Sequence, residues 1–127
     1  MTKQAIGGTL MGPGGPLPFS RAVRAGDFVY VSGQVGFGPD GTVVTGGIEA
    51  ETRQVMETIK TLLAEAGCTM DDVIKCTAWL DDVRDFGAFN KVYGSFFGDE
   101  PPARSTVRAD LMIDAKVEIE AIAYKPR

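Results

Sequence analysis

The chain has 127 residues, 44% hydrophobic and 24% charged, the composition of one soluble domain over residues 1–127 with a buried core. A formal net charge of −4 argues against a binder of nucleic-acid phosphates, which normally carries a basic face. The chain has no histidine, which removes Ser-His-Asp and Cys-His catalysis, imidazole acid–base work and nearly all common zinc ligand sets.

Two cysteines, Cys68 and Cys76, are too few for a structural zinc site, and a disulfide is not expected in the cytosol. No apolar run approaches the roughly 18 residues needed to cross a bilayer. The N-terminus lacks a charged-then-apolar leader pattern, so a cytoplasmic location is expected. Chemistry on this chain therefore rests on carboxylates, arginine, backbone amides and ordered water.

Residues 1–18 hold the cluster Gly12-Pro13-Gly14-Gly15-Pro16-Leu17-Pro18. It lacks the Gly-Lys-Ser/Thr and following helix of a phosphate loop, so an irregular Gly/Pro-rich arm is expected. Residues 19–23 make a short strand candidate, turned by Arg24-Ala25-Gly26-Asp27. Phe28-Val29-Tyr30-Val31-Ser32-Gly33-Gln34 reads as a central strand, rich in β-branched and aromatic residues. It ends at Ser32-Gly33, where a glycine either lets a ligand approach closely or simply marks a bulge or strand exit. Gly38-Pro39-Asp40-Gly41 is a turn by its chemistry.

Residues 48–66 carry the clearest helix, with Ile48, Thr52, Val55, Met56, Ile59, Leu62, Leu63 and Ala66 at helical spacing and Gly67 as the stop. Glu49, Glu51, Arg53, Glu57, Lys60 and Glu65 are assigned to its solvated side. After a polar turn at residues 69–72, residues 73–80 form a strand. Ile74, Cys76, Ala78 and Leu80 are expected on one face, and Val73, Lys75, Thr77 and Trp79 on the other. Cys76 is read as a small core residue, since nothing nearby would lower its pKa. Asp85 is expected to cap a second helix running to Gly98, with an aromatic face of Phe86, Phe89, Tyr93, Phe96 and Phe97. Asn90 lies on the Tyr93 side of this helix, as a packing residue or as an amide aimed at a ligand.

Pro101-Pro102 stops what precedes. Two alternating runs follow, residues 103–108 and 117–123, which read as antiparallel strands joined by a short connection. Arg104, Thr106 and Arg108 share one face; Glu118 and Glu120 share another. If both charged faces point the same way, a guanidinium fork suited to a carboxylate stands beside an acid able to orient or deprotonate water. The bland alternative is an ordinary cross-strand ion pair on a solvated face. The element order, strand-strand-helix-strand-helix-strand-strand, favours an α+β fold with a mixed sheet and both helices on one face.

Several of these stretches occur together in a known family. They are Val31-Ser32-Gly33-Gln34, Glu51-Thr52-Arg53-Gln54, the Asp85-Phe86 to Phe96-Phe97 helix, Pro102-Ala103-Arg104-Ser105 and Val117-Glu118-Ile119-Glu120-Ala121-Ile122-Ala123. From about residue 19 to the C-terminus, the chain resembles the Rid family of reactive-intermediate deaminases, also called YjgF-like. The resemblance implies a chorismate-mutase-like fold and a homotrimer with ligand clefts between subunits. It also implies hydrolysis of 2-imino or 2-aminoacrylate-type acids to 2-oxo acids and ammonia, with no cofactor and no metal.

By the same resemblance, Arg104 holds the substrate carboxylate and Glu118 positions the attacking water. Ser32 and Gly33 line the pocket, and Asn90 matches the family's helix asparagine. Phe19 stands where archetypal members have tyrosine, and Thr106 where they have cysteine, both close to the expected pocket. Other functions left open are a non-catalytic binder of carboxylate metabolites and a pathway deaminase of the aminoacrylate or aminomuconate type. A third is a ribonuclease or translation inhibitor, against which the acidic charge and missing histidine weigh. A second sheet face presenting Val73, Thr77 and Trp79 needs cover, which rotational symmetry supplies; the resemblance makes the number three.

Overall fold

The computed structural model describes residues 2–126. Its elements are β1 (Gln4–Ile6), β2 (Met11–Gly12), β3 (Gly15–Pro16), β4 (Ala22–Ala25), β5 (Phe28–Val35), α1 (Gly47–Glu65), β6 (Val73–Leu80), α2 (Phe86–Gly94), β7 (Ala103–Arg108) and β8 (Val117–Tyr124). Six strands form one mixed sheet in the order β1-β4-β5-β8-β6-β7, while β2 and β3 pair as a separate small hairpin. Strands β6 and β7 run parallel; the other sheet neighbours described run antiparallel.

Alternation along the strands decides what the sheet covers. Val29 and Val31 of β5, Cys76, Ala78 and Leu80 of β6, and Ile119 and Ala121 of β8 are buried on one face. Against that face lie Val55, Met56, Ile59, Leu62 and Leu63 of α1, with Phe89 and Tyr93 of α2. Both helices thus cover one side, as the element order predicts. Each fully buried leucine or isoleucine on this seam contributes about 2 kcal/mol. Helix α1 stops at Gly67, whose φ of 80° lets its N–H reach Ala64 O at 3.0 Å while Cys68 N–H reaches Leu63 O at 2.8 Å. No helix among the described residues is long and apolar enough to cross a membrane.

The structure corrects several local expectations. The N-terminal arm is not irregular: β1 adds an edge strand on β4, and the Gly/Pro cluster folds as the β2–β3 hairpin. Buried Ile6 and the left-handed glycines Gly7 and Gly8 explain why the arm docks and then turns away. Strand β4 begins at Ala22 rather than Phe19, and Arg24 belongs to it instead of to the turn. A register shift between Val73 and Lys75 turns Val73 into the core and leaves Ile74 exposed, the reverse of a strict alternation. Helix α2 ends at Gly94, so Phe96 and Phe97 follow it. Asp85 makes no side-chain cap; Asp82 does, accepting the Arg84 N–H at 2.9 Å ahead of the 3₁₀ turn Val83–Asp85.

The largest correction concerns the last two strands. Strands β7 and β8 are not partners, because β6 lies between them and pairs with both. Glu51, assigned to the solvated side of α1, is buried at 5% exposure.

Candidate functional site

Strand register places the two chemically important side chains. Arg104 is beside Cys76 on β6, and Cys76 is beside Ala121 on β8, so Arg104 projects on the helix-covered side. Glu118 pairs with Trp79, an odd number of residues along β6 from Cys76, and so projects on the opposite side. Within one chain the guanidinium and the carboxylate therefore do not form the same-face pair expected from the sequence.

Around Arg104 the sequence builds an aromatic seat. Phe86, Phe89 and Tyr93 recur at helical spacing on α2, and the guanidinium carbon sits 5.7, 5.1 and 4.8 Å from their ring centroids. Among the described residues, Arg104 pairs with no carboxylate. The rings hold the fork while its charge stays uncancelled, the condition in which an arginine takes an external carboxylate. Thr106, two residues on and on the same face, has a buried hydroxyl with no hydrogen-bond partner among the described residues. Asn90 is half-buried on α2, next to Phe89. Cys76 lies beneath this seat at 1% exposure, and burial pushes its thiol pKa up.

Glu118 belongs to a second cluster. It opens into a pocket of about 380 Å³ whose floor is Gly33 and Gln34 at the end of β5. Leu10, Leu17 and Phe19 of the N-terminal arm form one wall, and Met112 and Ile113 of the β7–β8 connection form another. Burial among these apolar groups, reinforced by the nearby Glu120 charge, raises the Glu118 carboxyl pKa. Gly33 is needed for this arrangement: a Cβ there would run into the Glu118 carboxylate. It falls in the register shift between Val31 and Gln34, so the glycine is both a bulge and a close approach. The Ser32 hydroxyl is committed elsewhere, donating to Ser20 O at 2.6 Å.

The residues anticipated from the sequence thus divide into two groups. Phe19, Gly33 and Glu118 line one pocket, and Ser32 precedes Gly33 on β5; Arg104 and Thr106 share a face of the edge strand β7, while Asn90 lies on α2, the helix whose rings seat Arg104. The sequence reading missed Leu10, Leu17, Gln34, Met112 and Ile113. A signal existed for the leucines, one just before the Gly/Pro cluster and one inside it, where a purely solvated arm would be polar. Among the described residues, no group of three or more acidic or cysteine side chains is arranged to hold a metal ion.

The endoribonuclease L-PSP family profile matches residues 13–125. A RutC family protein of Pyrococcus horikoshii is 46% identical over 110 residues, covering 85% of this chain and 87% of that one. The 2-iminobutanoate/2-iminopropanoate deaminase of Mus musculus is 40% identical over 110 residues, covering 85% and 82%. The crystal structure of E. coli TdcF with bound serine superposes with a TM-score of 0.85 at 31% identity, covering 96% of this chain and 98% of that one.

Proposed function

Because this chain belongs to the endoribonuclease L-PSP family, the YjgF/Rid proteins, we propose that it hydrolyses 2-imino and enamino acids to 2-oxo acids and ammonia. The observation that carries this reading is the Arg104 guanidinium, seated on three aromatic rings with its charge uncancelled by any carboxylate among the described residues. It binds the substrate carboxylate through two parallel N–H donors. The activity for which the mouse relative is named and the serine bound to the E. coli relative both concern small α-substituted acids with such a carboxylate.

Glu118 supplies the second function. Its raised pKa makes it a stronger base than an exposed carboxylate, and its pocket is apolar on two walls. Glu118 takes a proton from water as the water oxygen adds to the C=N carbon, and returns that proton to the imine nitrogen, giving a neutral carbinolamine. The carbinolamine collapses as Glu118 takes its hydroxyl proton and passes it to the amino nitrogen, so that the C=O bond forms, the C–N bond breaks and ammonia leaves. An enamino acid first takes a proton at carbon to become the imine. Imine hydrolysis is intrinsically easy, so orientation of water against the C=N carbon is the main contribution asked of the protein.

Opposite-face placement supports a cleft completed by a second copy, with Arg104 from one subunit and Gly33 and Glu118 from the next. The free β7 edge and the Glu118 pocket are then two halves of one site, repeated around a closed ring. The trimeric number comes from the family resemblance. The deciding experiment measures ammonia release from imines generated in situ from several amino acids, with Arg104→Ala in parallel. Turnover lost in the variant supports the reading. Wild-type protein that binds 2-oxo acids without accelerating ammonia release would make it a metabolite binder instead.

A further inference from the structure

Glu51 is a buried acid that the mechanism above does not use. It stands in the first turns of α1 at 5% exposure, and its Oε1 accepts the backbone N–H of Lys116 at 2.8 Å. The carbonyl of the same Lys116 accepts the N–H of Asp81, just past β6, at 3.2 Å. The residue that leads into β8 is thus held from two sides, by a helix and by a neighbouring strand's end.

What hangs on that point is the Glu118 pocket. Two residues after Lys116 comes Glu118 itself, and a few residues before it come Met112 and Ile113, which form a wall. Another part of the lining, Val35 and Phe37, is tied to Glu51 too. Gly36, just after β5, packs so tightly on the Glu51 backbone that an added Cβ would lie 3.0 Å from Glu51 O and 3.2 Å from its Cα. Gly36 sits between Val35 and Phe37, both lining residues. Helix docking alone does not call for a carboxylate here, since a buried acid must overcome desolvation that a leucine avoids. An acceptor that reaches one specific N–H explains the residue type.

We propose that Glu51 is a positioning residue for the reaction: its carboxylate fixes the start of β8, and thereby the placement of the Glu118 side chain and of the Met112–Ile113 wall. This rests on the reading in which Glu118 handles the water. Because Arg104 is seated on Phe86, Phe89 and Tyr93 of α2 while Glu51 anchors Lys116, loss of Glu51 disturbs water delivery while leaving carboxylate binding intact.

The test uses Glu51→Met and Glu51→Gln in the full-length protein. Methionine keeps the length and packing but accepts no comparable hydrogen bond; the glutamine amide oxygen still accepts the Lys116 N–H. Glu51→Met should lose at least about tenfold in kcat with KM changed by less than about threefold, and Glu51→Gln should stay within about threefold of wild type in both. A wild-type kcat in Glu51→Met, or a loss expressed in KM alone, would overturn the proposal.

A second measurement decides the matter if the methionine variant does not fold, or if the wild type turns over no imine. Backbone amide resonances of the wild type are followed through the titration of Glu51. The charged groups facing it are Lys116 and Asp114 of the β7–β8 connection and Asp81 after β6. The amides of Lys116, Ile113 and Glu118 should move with one midpoint, and that shared transition should vanish in Glu51→Gln. If Ile113 and Glu118 stay still while Lys116 moves, the hydrogen bond is local and the positioning role is refuted. Absent turnover with the shared transition present would sink the deaminase reading and leave the Glu51 linkage standing.

Discussion

Arg104 and Glu118 stand on opposite faces of one sheet, because β6 separates their strands and their register on it is out of phase: Arg104 beside Cys76, Glu118 beside Trp79. No side-chain rotation brings a group on one face to a ligand on the other. A site that used both would draw them from different copies of the chain, as in the shared cleft proposed above.

This predicts complementation between dead variants. Arg104→Ala and Glu118→Ala should each be inactive alone. After mixing equal amounts under conditions that allow subunit exchange, about a quarter of the clefts in a cyclic assembly regain one native half from each neighbour. Activity near a quarter of wild type supports the shared cleft, and sedimentation equilibrium should find trimers. No recovery despite proven exchange would place both residues' function within one chain. Arg104→Lys should also lose most activity, since an ammonium lacks the two-pronged geometry.

Gly33→Ala should cost activity far more than stability. Its Cβ collides with the Glu118 carboxylate, and the nearest atoms are side-chain atoms that can swing away, taking the base with them. A loss of about a hundredfold in kcat is expected for such a displacement. Near-normal turnover in a folded variant would show that Glu118 need not lie against β5.

Glu120 supplies a pH test. Burial first, and the Glu120 charge second, hold the Glu118 carboxyl above its ordinary pKa. Only the ionised form accepts a proton from water, so turnover should fall as pH drops through this raised value, at a higher pH than for an exposed glutamate. Glu120→Gln removes one cause of the rise and should move the acid limb to lower pH. An unmoved limb would assign it to another group.

Thiol reagents should leave activity unchanged. Cys68 and Cys76 are 3% and 1% exposed, and burial is the first cause raising both thiols, so little thiolate is present near neutral pH. Mass spectrometry after native iodoacetamide treatment should find neither modified. Fast stoichiometric labelling with inactivation would contradict the packing described here.

Arg24 governs stability instead of catalysis. Its buried guanidinium donates to the carbonyls of Ala66 at 2.9 Å, and of Gly26 and Lys125 at 3.2 Å each, joining the α1 terminus, a hairpin and the C-terminal segment. Arg24→Met leaves these carbonyls short of donors and should cost on the order of 3 kcal/mol in denaturant unfolding. Imine turnover of the remaining folded protein should be unaltered.

Local patterns in the sequence were enough for several conclusions. The period of Val55, Ile59 and Leu62 specified α1, and strict alternation placed Glu118 and Glu120 opposite Val117, Ile119 and Ala121, as found. The missing histidine limited the chemistry before any fold was known. Glu51 was also legible in principle: it lies three residues after Ile48 and four before Val55, on the apolar stripe, where a charge calls for a buried partner. Its partner was not legible, because Lys116 N–H is a backbone group 65 residues away. Alternation says which residues of a strand share a face, but not which strand comes next or which face the helices cover. Those depend on long-range pairing, and the insertion of β6 between β7 and β8 is such a pairing. Only the tertiary structure could therefore decide that Arg104 and Glu118 face apart, because a strand's side-chain period of two carries no information about its neighbours.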